Sequence, residues 1–392
     1  MSFAGTAARA LCAAALLAAS AYAASAQTLT LREALARALA VSPRLSAADR
    51  DIGIASGQRL QAGALLNPEL SYEQDNSFGS GAYRGTRAAE VQRQAVRLEV
   101  LSETAIAFVT VLAAQRRIQI LDDQVAALDR LTPLLRRRVE AGASSPAETG
   151  RAEVASALVR ADRERVKATL ASARRELAVL TGDSSAKFAS VSGRFEAIGQ
   201  PPSFQSVMTA IDANPQLARW TAVFAQRNAE LLLARLKPYP DVRVGAGWRH
   251  FNDTKDDAVR LSVSVPIPVF DQNQGNILSA QESLAKTEAE RKANRNALLI
   301  VAGRAYDSLQ GSLRELSVLR EIAIPKAREA ADEIAQGYSA GRFTLLEVLD
   351  AQASVAQARL REQEALQNIH VAVATIEGLV GRPFTLARET TR

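Results

Sequence analysis

Apolar residues recur along this chain at two periods, and the change between them separates its parts. Over most of the length the spacing alternates three and four. Leu98, Leu101, Ala105, Phe108 and Leu112 form one stripe, continued by Leu121, Val125, Leu128, Leu131, Leu135 and Val139. A second series holds Leu298, Val301, Ala305, Leu309, Leu313, Leu316 and Leu319, and after Gly341 come Leu346, Leu349, Ala353, Ala356 and Leu360. Stripes this narrow are seams between long helices rather than broad globular faces. The run from Gly275 to Gln336 contains one breaker, Pro325, where a kink is expected. As a single helix it spans about 90 Å at ~1.5 Å per residue.

Between these helical stretches the period drops to two. Val242, Val244, Ala246 and Trp248 alternate with Arg243, Gly245, Gly247 and Arg249. Val259, Leu261, Val263 and Val265 alternate with Arg260, Ser262 and Ser264, and polar Asn252 to Asp257 lies between. This pattern predicts a β-hairpin with one apolar and one polar face.

The elements occur twice. Ser42-Pro43-Arg44-Leu45 matches Asn214-Pro215-Gln216-Leu217, and Asn67-Pro68-Glu69 matches Tyr239-Pro240-Asp241, both at an offset of 172. Glu140-Ala141-Gly142 matches Ser339-Ala340-Gly341, and Leu180-Thr181-Gly182 matches Leu379-Val380-Gly381, both at an offset of 199. Two anchors at each offset define an internal repeat. The predicted organisation is a leader over 1–26, a first repeat over 27–199 and a second over 200–392, joined by the Gly- and Pro-containing linker Phe195–Ser203. The jump in offset from 172 to 199 makes the first half the shorter one, with the shortfall between Pro68 and Gly142. That half has a candidate strand at Leu70–Asp75 and a turn at Gly79-Ser80-Gly81, but helical spacing resumes by Ala88. About one strand is missing there.

Composition narrows the class. Arg9 followed by apolar Ala10–Ala19 and the small residues Ala24-Ser25-Ala26 reads as an export signal cleaved before Gln27. Ten apolar residues fall short of the ~20 a membrane-spanning helix needs. The single cysteine, Cys12, lies within this leader after bulky Leu11, so acylation, disulfides and thiolate metal ligands are not expected in the mature chain. Aromatics make up 5% while alanine is abundant, which suits closely packed helices. Against 48 basic and 42 acidic side chains, a net charge of +6 describes a solvated surface, and no nucleic-acid partner is expected. His250 and His370 are far apart and have no cysteine partner, and no phosphate loop, nucleophile elbow or zincin helix occurs. An enzyme, a cofactor and a metal site are therefore not expected.

A one-faced hairpin survives in lipid only as part of a closed barrel, and bacterial barrels need at least ~8 strands. One chain offers three or four. Several copies must pool their strands while their helices extend the same tube, so the patterning alone points to an oligomeric conduit. A soluble periplasmic coiled-coil or adaptor protein is the rival, and the alternation over Val242–Val265 weighs against it.

The order of elements over residues 28–386 resembles the TolC family. Within that family, Pro266-Ile267-Pro268-Val269-Phe270-Asp271-Gln272-Asn273-Gln274-Gly275 and Asn67-Pro68-Glu69-Leu70 resemble the CzcC-type metal-cation efflux members. In the junction, Pro266 and Pro268 end the strand, Asp271 follows, and Gly275 frees the turn into the helix. The resemblance implies a mainly α fold with a small β part: long antiparallel coiled-coil helices forming an α-barrel, with short strands given to a trimeric outer-membrane β-barrel. It further implies a homotrimer in outer-membrane lipid that works with a periplasmic adaptor and an inner-membrane RND pump to export divalent metal cations. Drug export or type I protein secretion stays open as the alternative cargo.

The resemblance also supplies candidate gate residues. The family closes its periplasmic end through a tyrosine, an arginine and acidic residues near the hairpin turn. On Gly337-Tyr338-Ser339-Ala340-Gly341-Arg342-Phe343-Thr344-Leu345-Leu346-Glu347-Val348-Leu349-Asp350, the tyrosine falls on Tyr338 and the acids on Glu347 and Asp350. Phe343 stands where the family has arginine, with Arg342 adjacent. Glu148 is the repeat-equivalent of Glu347. Symmetry copies of these carboxylates would ring the pore and attract cations. The small-residue turns, with Gly142, Ser144 and Ser145 in one and Gly341, Phe343 and Thr344 in the other, are the expected adaptor-docking tips. With three copies, the short first half leaves nine barrel strands in place of twelve, an arrangement expected to seal poorly.

Overall fold

A computed structural model of the chain describes residues 28–62, 82–183, 188–199, 201–239, 242–251, 253, 256–265 and 269–381. The expected leader, the candidate strand at Leu70–Asp75 with its glycine turn, Asn67–Leu70, and Pro266 and Pro268 lie outside these residues. In chain order come β1 (Thr28–Thr30), α1 (Leu31–Val41), α2 (Pro43–Ala62), α3 (Ala82–Glu140), α4 (Pro146–Leu180), β2 (Ser190–Ser192), α5 (Phe204–Ile211) and α6 (Pro215–Leu236). Then follow β3 (Arg243–Phe251), β4 (Asp256–Ser264), α7 (Gln274–Val318), a π turn (Leu319–Ala323), α8 (Ile324–Ser339) and α9 (Leu345–Val380). Among the described residues no helix is long and apolar enough to cross a membrane. The chain divides into two compact units, and each draws on both sequence halves: residues up to Ser42, Val100–Pro202 and Arg304 onward form one, Pro43–Glu99 and Ser203–Gly303 the other.

The first unit is a set of paired helices. Ion pairs join α3 to α4 through Arg163–Asp122 at 3.0 Å, Arg160–Asp129 at 2.8 Å and Arg136–Glu153 at 3.1 Å. On its other side α3 meets α9, where Arg359 reaches Asp123 at 2.9 Å and the Ser102 hydroxyl donates to the Ala374 carbonyl at 3.3 Å. These pairs are part-exposed and weakened by solvent screening. Burial of Phe108, Val109 and Val111 on α3 and of Leu366, Ile369 and Ile376 on α9 outweighs them, at roughly 1.5–3 kcal/mol per side chain. A short parallel ladder pairs Thr28–Thr30 with Ser190–Ser192. Gln115 of α3 closes the open edge of β2, its amide accepting from the Val191 N–H at 2.9 Å and donating to the Val191 carbonyl at 3.3 Å.

In the second unit the repeat is visible in side-chain chemistry. Arg44 and Gln216, equivalent at the offset of 172, both bind the Glu99 carboxylate, Arg44 at Oε2 and Gln216 at Oε1 (2.9 Å). The expected hairpin is present in antiparallel register, with Val244 opposite Val263, Ala246 opposite Leu261 and Trp248 opposite Val259. Its apolar positions are bare: Trp248 is 75% exposed, Val259 79% and Leu261 77%. Residues 82–97 are helical, so helix begins ahead of Ala88, where its spacing is first evident, and this stretch adds no strand.

The chain is helical without a break from Gln274 to Ser339, and the interruption expected at Pro325 takes the form of a π turn. There the Ile324 N–H bonds the Leu319 carbonyl, five residues back. Leu298, Ala302, Leu309, Ser312 and Leu319 are buried, and at an offset of 198 so are Val100, Thr104, Val111, Ala114 and Leu121. Below the turn the offset becomes 199, which pairs buried Ile324 with buried Val125. The turn therefore carries a single inserted residue. Of the shortfall between the offsets of 172 and 199, all but one position falls in the hairpin region, and the last falls in the turn. Pro325 lies two residues past the turn's last residue: it lacks an N–H and its ring would strike a carbonyl in a regular α-helix, and the wide turn relieves both.

Candidate functional site at the helix-hairpin tips

The two long hairpins end in turns of the same construction. Gly142 (φ 70°) and Gly341 (φ 73°) occupy the left-handed region, where glycine carries no Cβ penalty. Ala143 N–H bonds the Arg138 carbonyl and Arg342 N–H bonds the Gly337 carbonyl, each at 2.8 Å. Ser145 and Thr344 then cap α4 and α9. Each of these positions recurs at the offset of 199, so the expected tip residues share one geometry.

Tyr338 stands at the centre. Its ring is buried with Leu135, Ala152, Leu345 and Val348, joining the ends of α3, α4, α8 and α9 in one apolar cluster. The hydroxyl lies 3.4 Å from Glu148 Oε2 and also bonds Ser144. Burial, and then the charge of Glu148, push the phenol above its ordinary value. Arg138 places its guanidinium 4.8 Å from the ring centre and donates to the Tyr338 carbonyl at 3.1 Å. Sequence reasoning missed Arg138. It sits in the run Arg136–Arg138, which reads as solvated surface, and its repeat-equivalent is Gly337, so the repeat offered no signal.

The expected carboxylates diverge. Glu347 forms a capping box with Thr344, accepting from its N–H at 2.7 Å and its hydroxyl at 2.8 Å. The backbone bond, then the hydroxyl bond, hold its carboxyl below the usual value. Glu148 has the same place on α4, but its side chain turns to Tyr338 instead. Glu347 and exposed Asp350 line a shallow cavity of about 220 Å³ with Ala327, Ala330, Ile334, Ala351 and Ser354. Arg342 is exposed at the tip. Phe343 lays its ring over Gly337, where an added Cβ would come within 2.3 Å of it. At the strand-to-helix junction, Asp271 Oδ1 accepts from the Asn273 N–H at 2.9 Å, and Gly275 falls in the first turn of α7. Of the histidines, His370 is buried with Nε2 2.7 Å from the Phe195 carbonyl, and His250 lies in β3. No group of three or more metal-binding side chains occurs among the described residues.

Comparison with known proteins places this architecture. The family model "outer membrane efflux protein" matches residues 80–183 and 207–382. The chain belongs to the outer membrane efflux protein family. It is 30% identical over 377 residues to the cobalt-zinc-cadmium resistance protein CzcC of Cupriavidus metallidurans, covering 90% of each chain. The nickel-cobalt-cadmium resistance protein NccC of Alcaligenes xylosoxydans is 22% identical, with 65% of this chain and 64% of the relative covered. Among solved structures, the outer membrane protein VceC of Vibrio cholerae superposes with a TM-score of 0.73 at 17% identity, over 90% of this chain and 96% of the other. The fold is TolC-like. As a member of the efflux family the chain is an outer-membrane channel with its helical barrel in the periplasm, and not an enzyme.

Proposed function

We propose that this efflux channel is the exit duct of a tripartite, RND-type system, assembled as a homotrimer with a periplasmic adaptor and an inner-membrane pump, and that its cargo is divalent metal cations. The observation that carries the cargo is the 30% identity to a cobalt-zinc-cadmium resistance protein across nine-tenths of both chains. The bare apolar face of β3–β4 supports a lipid-facing role in a shared barrel. The Tyr338–Glu148–Arg138 cluster supports closure of the periplasmic end, with exposed Glu347 and Asp350 of each copy adding negative charge at the mouth. The matched turns at Gly142–Ser145 and Gly341–Thr344 support adaptor docking at the tips.

A test is complementation in a host that keeps a cobalt-zinc-cadmium pump and adaptor but lacks the outer-membrane component. Expression of this chain should restore growth on zinc, cobalt and cadmium and lower cell-associated metal. Correct insertion in the outer membrane without any gain in metal tolerance would reject the metal assignment.

A further inference from the structure

The internal repeat predicts a contact that one chain does not make with itself. Within the chain, the second half's returning helix α9 meets the first half's outgoing helix α3, and Arg359 pairs with Asp123 at 2.9 Å. Exchange of the halves turns this into a contact between α4 and the second half's outgoing helix. Arg359 maps to Arg160 at the offset of 199, and with the inserted residue placed after it in the π turn, Asp123 maps to Glu321 at the offset of 198 last anchored at buried Leu319. An acid–arginine pair is thus replaced by an acid–arginine pair. Glu321 and Arg160 are both exposed, and among the described residues Glu321 makes no ion pair.

The faces around them have the same history. On α9, the positions Ala356, Gln363, Leu366 and His370 are buried inside the chain. Their equivalents on α4, which are Ala157, Glu164, Lys167 and Ala171, are exposed. Beside Glu321 in the π turn, Ile322 is 59% exposed. Asp129 engages the Nη2 of Arg160, and a guanidinium with five donors has capacity for a second carboxylate. The clamp between Arg320 and Glu362 at 2.7 Å fixes the π turn on α9, so that neighbouring Glu321 is presented outward.

We infer that the π turn is a contact between copies of this chain, with Glu321 of one protomer pairing with Arg160 of the next and Ile322 seated beside it against α4. The two faces differ, so the contact is head-to-tail and closes a ring on rotation. This inference rests on the trimeric channel reading and specifies the surfaces that build it.

Cross-linking separates the two claims. In a Cys12→Ser background, Glu321→Cys with Arg160→Cys is treated in outer membranes with a short bismaleimide. Asp123→Cys with Arg359→Cys serves as the control for the equivalent contact within a chain. The expected result is a ladder of dimer and trimer for the first pair, a monomer-sized band for the control, and none from either single variant. A trimer by light scattering that does not cross-link overturns the inference and leaves the channel reading standing. A monomer by light scattering overturns both. Cross-linking of one single variant alone overturns the head-to-tail geometry. As an independent check, Glu321→Lys should lower the heat resistance of the trimer, and adding Arg160→Glu should recover part of it; loss without recovery also counts against the pairing.

Discussion

Replacement of Tyr338 is the sharpest probe of the tip. In Tyr338→Phe the ring stays in its cluster and only the hydroxyl is lost. The bond to Glu148 is long at 3.4 Å and a second goes to Ser144, so the low end of the hydrogen-bond range applies to each, about 0.5–1 kcal/mol in all and a roughly two- to fivefold shift per protomer. Tyr338→Ala removes a buried ring that touches four helix ends, which costs about 3–5 kcal/mol together with the Arg138 contact. At about 1.4 kcal/mol per tenfold, that is a hundredfold or more in favour of the open tip. Single-channel recording in planar bilayers measures both: slightly more frequent openings for Phe, a largely open channel for Ala. Alkaline titration adds a sign. The phenol is raised in the folded state, so its contribution is complete below the ordinary tyrosine value of about 10 and fades as pH climbs through the raised value. The wild-type channel should therefore open at strongly alkaline pH, and the Phe variant should not respond in that range. If Tyr338→Ala gates like the wild type while inserting normally, the cluster does not hold the tip closed.

Two further outcomes follow from the hairpin and the π turn. Leu261→Arg puts a cation on the bare face of β4 and should cost about 2–4 kcal/mol per copy if that face sits near the bilayer midplane, seen as loss of heat-resistant trimer on gels; unchanged yield would remove the face from lipid. Deletion of Ile322 should restore a regular α-helix but strand Pro325 inside it, at a cost of about 3 kcal/mol in thermal unfolding, and adding Pro325→Ala should recover most of this. Equal destabilisation of the single and double variants would show that the turn does not exist to accommodate the proline.

The elements were legible wherever one period ran uninterrupted. Val244, Trp248, Val259 and Leu261 alternate cleanly and form the hairpin; the three-four stripes on α3, α7 and α9 form the helices. The tip turns were legible because glycine at φ near 70° followed by a Ser or Thr cap leaves a local signature. Tyr338 was placed through family resemblance. Its guanidinium neighbour was not, because the cation–π contact joins positions far apart in sequence and leaves no local pattern.

What the repeat concealed is where its two copies cease to be equivalent. A sequence offset treats Glu148 and Glu347 as the same residue, yet one turns to a tyrosine hydroxyl and the other closes a capping box. Both follow a hydroxyl-bearing cap, and the difference comes from what lies across the hairpin: Tyr338 faces α4, whereas its own equivalent, Val139, has nothing to offer α9. The single inserted residue at Leu319–Ala323 is hidden for a related reason. A helix stripe tolerates a step of three or four, so one extra residue hardly alters the apolar pattern, and only the burial of both Leu319 and Ile324 across the π turn exposes it. A tube built from a doubled chain needs the halves alike enough to alternate around a ring, and unlike enough for each to do a separate task at the tips. The shortened hairpin region, the tip residues and the π turn are where this chain departs from its own symmetry.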